Sequence, residues 1–164
     1  MATVTYPRGT IVRCQESVHT PAFLALLDPA VSMTPPTFPT VQSLETYDGQ
    51  KTRPCVIMPT WGSEVDGGEV KVCVMGTFDK VQFRELAEVH QHFVLPMYKH
   101  SQYPSDHRRY AVANVKWTTD AWLVAYPFVP LKPLLDPWME RGRPAELMEK
   151  ALEQVSRECD LLRV

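Results

Sequence analysis

No glycine-rich phosphate loop, GxSxG elbow, HExxH pair or CxxC pair occurs in this 164-residue chain. Each absence removes a class: phosphate-loop nucleotidases, elbow-type serine hydrolases, zinc proteases and thiol oxidoreductases all lose their sequence support. An excess of positive charge is missing too. With 17 Lys and Arg against 19 Asp and Glu, the formal net charge is −2. Such a chain is not coated for duplex binding, so any nucleic-acid role rests on a local patch. The four cysteines, Cys14, Cys55, Cys73 and Cys159, are widely spaced. Cys55 and Cys73 lie inside apolar runs, where a buried free thiol is the usual state. The first twenty residues hold no apolar stretch of signal-peptide length, and no segment approaches a membrane span. A soluble, cytoplasmic chain in a reducing compartment, without membrane contact, is the expectation. There is no internal repeat and no low-complexity tract.

What the chain has in excess is proline. Its 15 prolines cluster at 21–39 and 127–144 and mark connections, so 15–50 reads as one long decorated loop with a helical turn or two at "AFLALLDP" (22–29). Around these lie short apolar runs that read as strands: "GTIVRC" (9–14), "PCVIM" (54–58), "EVKVCVMGTF" (69–78), "HFVLPM" (92–97), "RYAVANVKW" (109–117) and "AWLVAYPF" (121–128). A turn or two of helical spacing falls at Val81, Leu86 and Val89. From Pro144, Leu147, Met148, Ala151, Leu152, Val155, Cys159 and Leu162 recur at three- and four-residue spacing, which predicts an amphipathic helix over 144–163. The expected fold is a single mainly-β (α+β) domain over 1–164: a small, strongly bent antiparallel sheet or barrel with a C-terminal amphipathic helix.

Few residues carry chemistry. Arg53 precedes Pro54, which biases it to extended backbone at the mouth of a strand, where a guanidinium can give two parallel donors to a phosphate. An ion pair with Asp48 or Glu45 is the plainer alternative. Thr77 follows Gly76 at a strand end, where its hydroxyl is either a donor to a phosphate oxygen or a turn or helix-cap residue. Across 90–116, Lys99, Arg108, Arg109 and Lys116 face only Asp106, with Tyr98, Tyr103, Tyr110 and Trp117 interleaved. That mixture suits single-stranded nucleic acid, or a solvated loop with snorkelling side chains. On a strand, His90 and His92 would share a face. No third ligand is signposted, so an acid–base role suits them better than a metal. No metal and no cofactor is expected.

In order along the chain, "GTIV" (9–12), "KTRPCVIM" (51–58), "VCVMGTF" (72–78), "FVLP" (93–96), "ANVKW" (113–117) and the helix at 144–163 resemble the MazF/PemK family of toxin endoribonucleases. The resemblance implies an SH3-like antiparallel barrel with a C-terminal helix, here with 13–50 as a long insertion in the first loop. It implies metal-independent cleavage of single-stranded RNA by attack of the ribose 2′-hydroxyl, leaving a 2′,3′-cyclic phosphate and a 5′-hydroxyl. Arg53 and Thr77 would be the catalytic pair, with His92 or His90 as acid or base. Lys51, Lys99, Arg108, Arg109, Lys116 and Trp117 would bind RNA. A homodimer and an inhibitory protein partner are implied as well. Ala113 stands where the family has an acidic residue, which keeps a second function open: the same barrel as an RNA- or protein-binding module without turnover. An unrelated β-barrel that binds a small ligand is a third.

Overall fold

Two interleaved apolar sets run along the strands, and each finds its own helical cover. The structure, a computed structural model, describes residues 6–31, 51–58, 70–78, 83–97 and 121–163. In chain order they form β1 (Ile11–Cys14), α1 (His19–Leu27), β2 (Arg53–Ile57), β3 (Val72–Gly76), α2 (Glu88–Phe93), β4 (Val94–Pro96), β5 (Trp122–Val124), β6 (Met139–Glu140), β7 (Arg143–Pro144) and α3 (Glu149–Leu162), with a single 3-10 turn at Phe83–Glu85. The fold is α+β, with one five-stranded antiparallel sheet in the order β1-β2-β3-β5-β4 and a separate β6-β7 hairpin.

Alternation sends Ile11, Val56, Cys73, Met75, Leu95 and Leu123 to one face, where Leu152, Val155 and Cys159 of α3 cover them. Val12, Cys55, Val74, Val94, Trp122 and Val124 go to the other face, under Ala22 and Ala25 of α1 and Val89 and Phe93 of α2. A sheet buried on both sides needs apolar residues at every position. That is why "PCVIM" and "VCVMG" read as continuous runs rather than as alternating ones.

β1 is not a bare edge. Ile11 N–H donates to Ala145 O (2.9 Å), Leu147 N–H to Gly9 O (2.8 Å), Arg13 N–H to Asp136 O (2.9 Å) and Leu135 N–H to Arg13 O (2.9 Å). Val72 and Phe128 exchange backbone bonds as well (2.9 and 3.1 Å). The sheet is therefore extended by irregular strand, but no pairing among the described residues joins β4 to β1, so a closed barrel is not formed by them.

Two expectations are corrected. The helix expected over 144–163 begins at Glu149, because the backbone of 145–147 is committed to β1 and Pro144 lies in β7. The strand expected over 92–97 is helical up to Phe93 and extended only over Val94–Pro96. Within the 13–50 segment, the helical turns expected at 22–29 form as part of α1, which begins earlier, at His19. Pro21 is tolerated in α1 because the first helical turn has no internal acceptors for its N–H groups. The remainder, like 109–117, lies outside the described residues.

A three-way polar clasp closes the α1 end. Asp28 Oδ2 accepts from Arg163 Nε (2.7 Å) and from the Tyr126 hydroxyl (2.7 Å), and Oδ1 accepts from Ala30 N–H (2.9 Å). The Arg163 guanidinium first, then the Tyr126 hydroxyl, holds the Asp28 carboxyl well below the usual carboxylate range. Burial first, then the Asp28 charge, pushes the Tyr126 phenol up to about 12. The clasp ties the ends of α1 and α3 to the chain following β5.

Candidate functional site

Pro54 shapes the mouth of the sheet. Met58 N–H donates to Lys71 O on the β3 side (2.9 Å), so by alternation the nitrogen of Pro54 faces β3 as well and has no hydrogen to give. The β2–β3 pairing accordingly ends at Cys55↔Val74, while β1–β2 runs on to Cys14↔Arg53. Continued by two residues, the β2–β3 register sets Arg53 opposite Gly76, just past the last paired residues.

Arg53 is half-buried there, and its guanidinium donates to the Glu16 carbonyl (3.3 Å). Its Nε lies 3.5 Å from where a Cβ on Gly76 would sit, and Val18 Cγ1 lies 2.6 Å from the same point. A Cβ at 76 would press on Val18 in the loop ahead of α1 and would meet Arg53 at ordinary contact distance, so glycine fits there best. Glu16, 3% exposed, fixes that loop: one carboxylate oxygen accepts from Leu131 N–H (2.7 Å) and Lys132 N–H (2.9 Å). Cys14 lies beneath. A hydrogen bond from the Cys55 thiol holds the Cys14 thiol below its ordinary value, with the Glu16 amide and Arg53 assisting, while Cys55 is pushed up.

Thr77 follows Gly76 and is half-buried. Along β3, Val72, Val74 and Gly76 share the face of Arg53, and Cys73 and Met75 share the other; strict alternation sets Thr77 with the second group. The next residue, Phe78, has φ 53 and turns back into the core on the Arg53 face, 8% exposed. Left-handed backbone at an aromatic residue costs on the order of 1–3 kcal/mol and is held only where the surroundings require it.

The two sequence-selected histidines are on a helix, not a strand. Two residues on a helix turn about 200°, so His90 and His92 part rather than share a face. His92 Nε2 meets the Leu162 carbonyl at 2.6 Å, supplying a partner for one of the carbonyls left over at the end of α3. His90, 2% exposed, points inward, where its Nε2 lies 3.0 Å from Nδ1 of His19. Phe78 sets its ring edge-on to both imidazoles, with centroids 5.0 Å from His90 and 6.0 Å from His19. His19 was not a sequence candidate: nothing in "SVHTPA" points to a partner 71 positions away.

Lys51 is exposed two residues before Arg53. Lys99, Arg108, Arg109, Lys116 and Trp117 lie outside the described residues. Among the described residues no three His, Cys, Asp or Glu side chains are grouped to hold a metal ion, and no helix is long and apolar enough to cross a membrane. A cleft of about 280 Å³ opens at the start of α3, lined by Arg8, Glu146, Leu147, Met148, Glu149 and Leu152, none of them a candidate residue.

No protein-family model, curated protein or solved structure matches the chain.

Proposed function

We propose that the chain is a metal-independent endoribonuclease that cuts single-stranded RNA, leaving a 2′,3′-cyclic phosphate and a 5′-hydroxyl. The observation that carries this is the placement of Arg53: a half-buried guanidinium at the end of β2, packed beside a glycine where an added methyl would run into Val18. A cation so placed neutralises the charge that builds on the phosphoryl oxygens as the 2′-oxygen attacks phosphorus. Thr77, next to that glycine, supplies a hydroxyl donor to a nonbridging oxygen. On this reading the five-stranded sheet with its added strand pieces is an opened form of the SH3-like barrel of the MazF/PemK family. On the same reading Lys51, Lys99, Arg108, Arg109, Lys116 and Trp117 bind RNA, all but Lys51 lying outside the described residues. The family's homodimer and inhibitory partner belong to the same proposal.

One observation favours the second function, a binding module without turnover. The Arg53 guanidinium already donates to the Glu16 carbonyl, and the alternation of β3 turns Thr77 away from it. A single comparison separates the two. Purified chain in EDTA is incubated with a long single-stranded RNA beside Arg53→Ala and Thr77→Ala. Cutting lost in both variants supports the nuclease. Retention of RNA without cutting supports the module, and no affinity removes both. Contact between Arg53 and phosphate also requires that affinity fall steeply with salt.

A further inference from the structure

Cleavage by 2′-hydroxyl attack needs a group that takes a proton at neutral pH and returns it, and neither proposed catalytic side chain can. A guanidinium keeps its protons, and a threonine hydroxyl does not ionise in water. The structure supplies what is missing from a residue the sequence did not single out.

His19 Nδ1 and His90 Nε2 are 3.0 Å apart, with ring planes at 86°. His90 is closed off from solvent at 2% exposure, whereas His19 is half-buried at the surface end of the pair. The pair belongs to the Arg53 end of the sheet. Val18, the residue before His19, and the Arg53 side chain flank the same Gly76 position, at 2.6 and 3.5 Å from its would-be Cβ. Phe78, two residues beyond Gly76 and with positive-φ backbone, packs its ring nearly perpendicular to both imidazoles. Among the described residues, Ser17 from the loop ahead of α1, Phe78 from the end of β3 and His90 from α2 meet His19, while Arg53 and its partner Glu16 sit at the neighbouring Gly76 position beside Val18. Ser17 Oγ accepts from His19 N–H (3.0 Å), fixing the backbone that carries the ring.

From this geometry we infer that His19 is the acid–base catalytic residue of the proposed endoribonuclease site, with His90 as its positioning residue. The inference rests on the endoribonuclease reading and adds a residue to it. With His19 Nδ1–H donating to His90 Nε2, the proton exchange with substrate falls to His19 Nε2. Nε2 takes the proton of the ribose 2′-hydroxyl, and the 2′-oxygen forms its bond to phosphorus. The bond from phosphorus to the 5′-oxygen breaks, and the departing oxygen takes the proton from Nε2. The imidazole ends as it began, and the products are a 2′,3′-cyclic phosphate and a 5′-hydroxyl. His90 sets the tautomer and the ring orientation without touching RNA, and Phe78 keeps water from the shared hydrogen bond.

The test uses the full chain in EDTA on single-stranded RNA, from about pH 5 to about pH 9, across the imidazole range. His19→Asn keeps an amide where Nδ1 meets His90 but has nothing at Nε2; His90→Gln keeps a partner at Nε2. His19→Asn should lose about 100-fold or more in kcat, with KM little changed, together with the acid limb of the pH profile. His90→Gln should still cut but with that limb displaced, a shift that a purely structural role would not produce. If His19→Asn cuts at the wild-type rate with an unchanged profile, the inference falls and the endoribonuclease stands. If the wild-type chain does not cut, both fall together. Should either variant melt before assay, the wild-type profile decides: an imidazole limb in kcat supports the pair, and a flat profile overturns it.

Discussion

Replacing Gly76 by alanine tests the packing of the site without touching a charged group. The added methyl would stand 2.6 Å from Val18 Cγ1 and 3.5 Å from Arg53 Nε. Carbon atoms settle at about 3.5–4.0 Å, so the contact with Val18 is short by roughly 1 Å. Val18 cannot swing away: it is β-branched, 2% exposed and set in a loop that Glu16 fastens to Leu131 and Lys132. Overpacking of this kind costs about 1–3 kcal/mol. Gly→Ala recovers about 0.4–1 kcal/mol by restricting the unfolded chain. The net loss is on the order of 1–2 kcal/mol, or roughly 3–6 °C in Tm for a domain of this size. Thermal and urea melts of the two single variants and of Gly76→Ala with Val18→Ala complete a double-mutant cycle. The double variant should recover most of the Gly76→Ala loss, because the clashing methyl has gone. A Gly76→Ala chain as stable as wild type, or additive costs in the cycle, would show that Val18 does not press on this position.

Other outcomes follow from the clasp, the helix face and the cation. The folded Asp28 carboxyl lies below its ordinary value of 3.8. Its contribution is therefore full above the unfolded value and is lost as pH falls from about 5. Urea midpoints of Asp28→Asn should fall less steeply with acid than those of wild type, and equal slopes would count against the clasp. At neutral pH the same substitution should lose about 1.5–3 kcal/mol, the worth of hydrogen bonds to a charged group. Leu152→Ala should lose about 2–5 kcal/mol, since Leu152 is 6% exposed against the sheet. Leu161→Ala, at 69% exposure one helix face away, should change stability by less than about 0.5 kcal/mol. Arg53→Lys should weaken RNA binding more than a charge-conserving change would at a solvated site, because a single ammonium cannot reproduce the planar fork; equal affinity would place the phosphate elsewhere.

Legibility in the sequence followed how local each signal was. β2 and β3 were readable because a sheet covered on both faces writes unbroken apolar runs. α3 was readable because Leu152, Val155 and Cys159 repeat at helical spacing. Its start was not, since whether 145–147 coil or pair with β1 depends on a strand more than 130 residues away in the chain. The Arg141-Gly142 turn of the β6-β7 hairpin was hidden because an arginine there takes φ 51, which its side chain does not advertise. His90 and His92 sat beside an apolar run short enough to be strand or helix, and the helix separates them onto different faces. At the site, the Arg-Pro pair announced a strand mouth through local chemistry. The His19–His90 contact spans 71 positions and could come only from the folded chain.

The central claim is that a phosphodiester docks on Arg53, and end-group analysis of RNA tests it most directly. Wild-type chain and Arg53→Ala are incubated in EDTA with one long single-stranded RNA, and the fragment termini are identified by mass. The account expects 2′,3′-cyclic phosphate and 5′-hydroxyl ends from the wild type, and loss of cutting by a folded Arg53→Ala chain. Intact RNA with the wild type, or the same fragments at the same rate from Arg53→Ala, would contradict it.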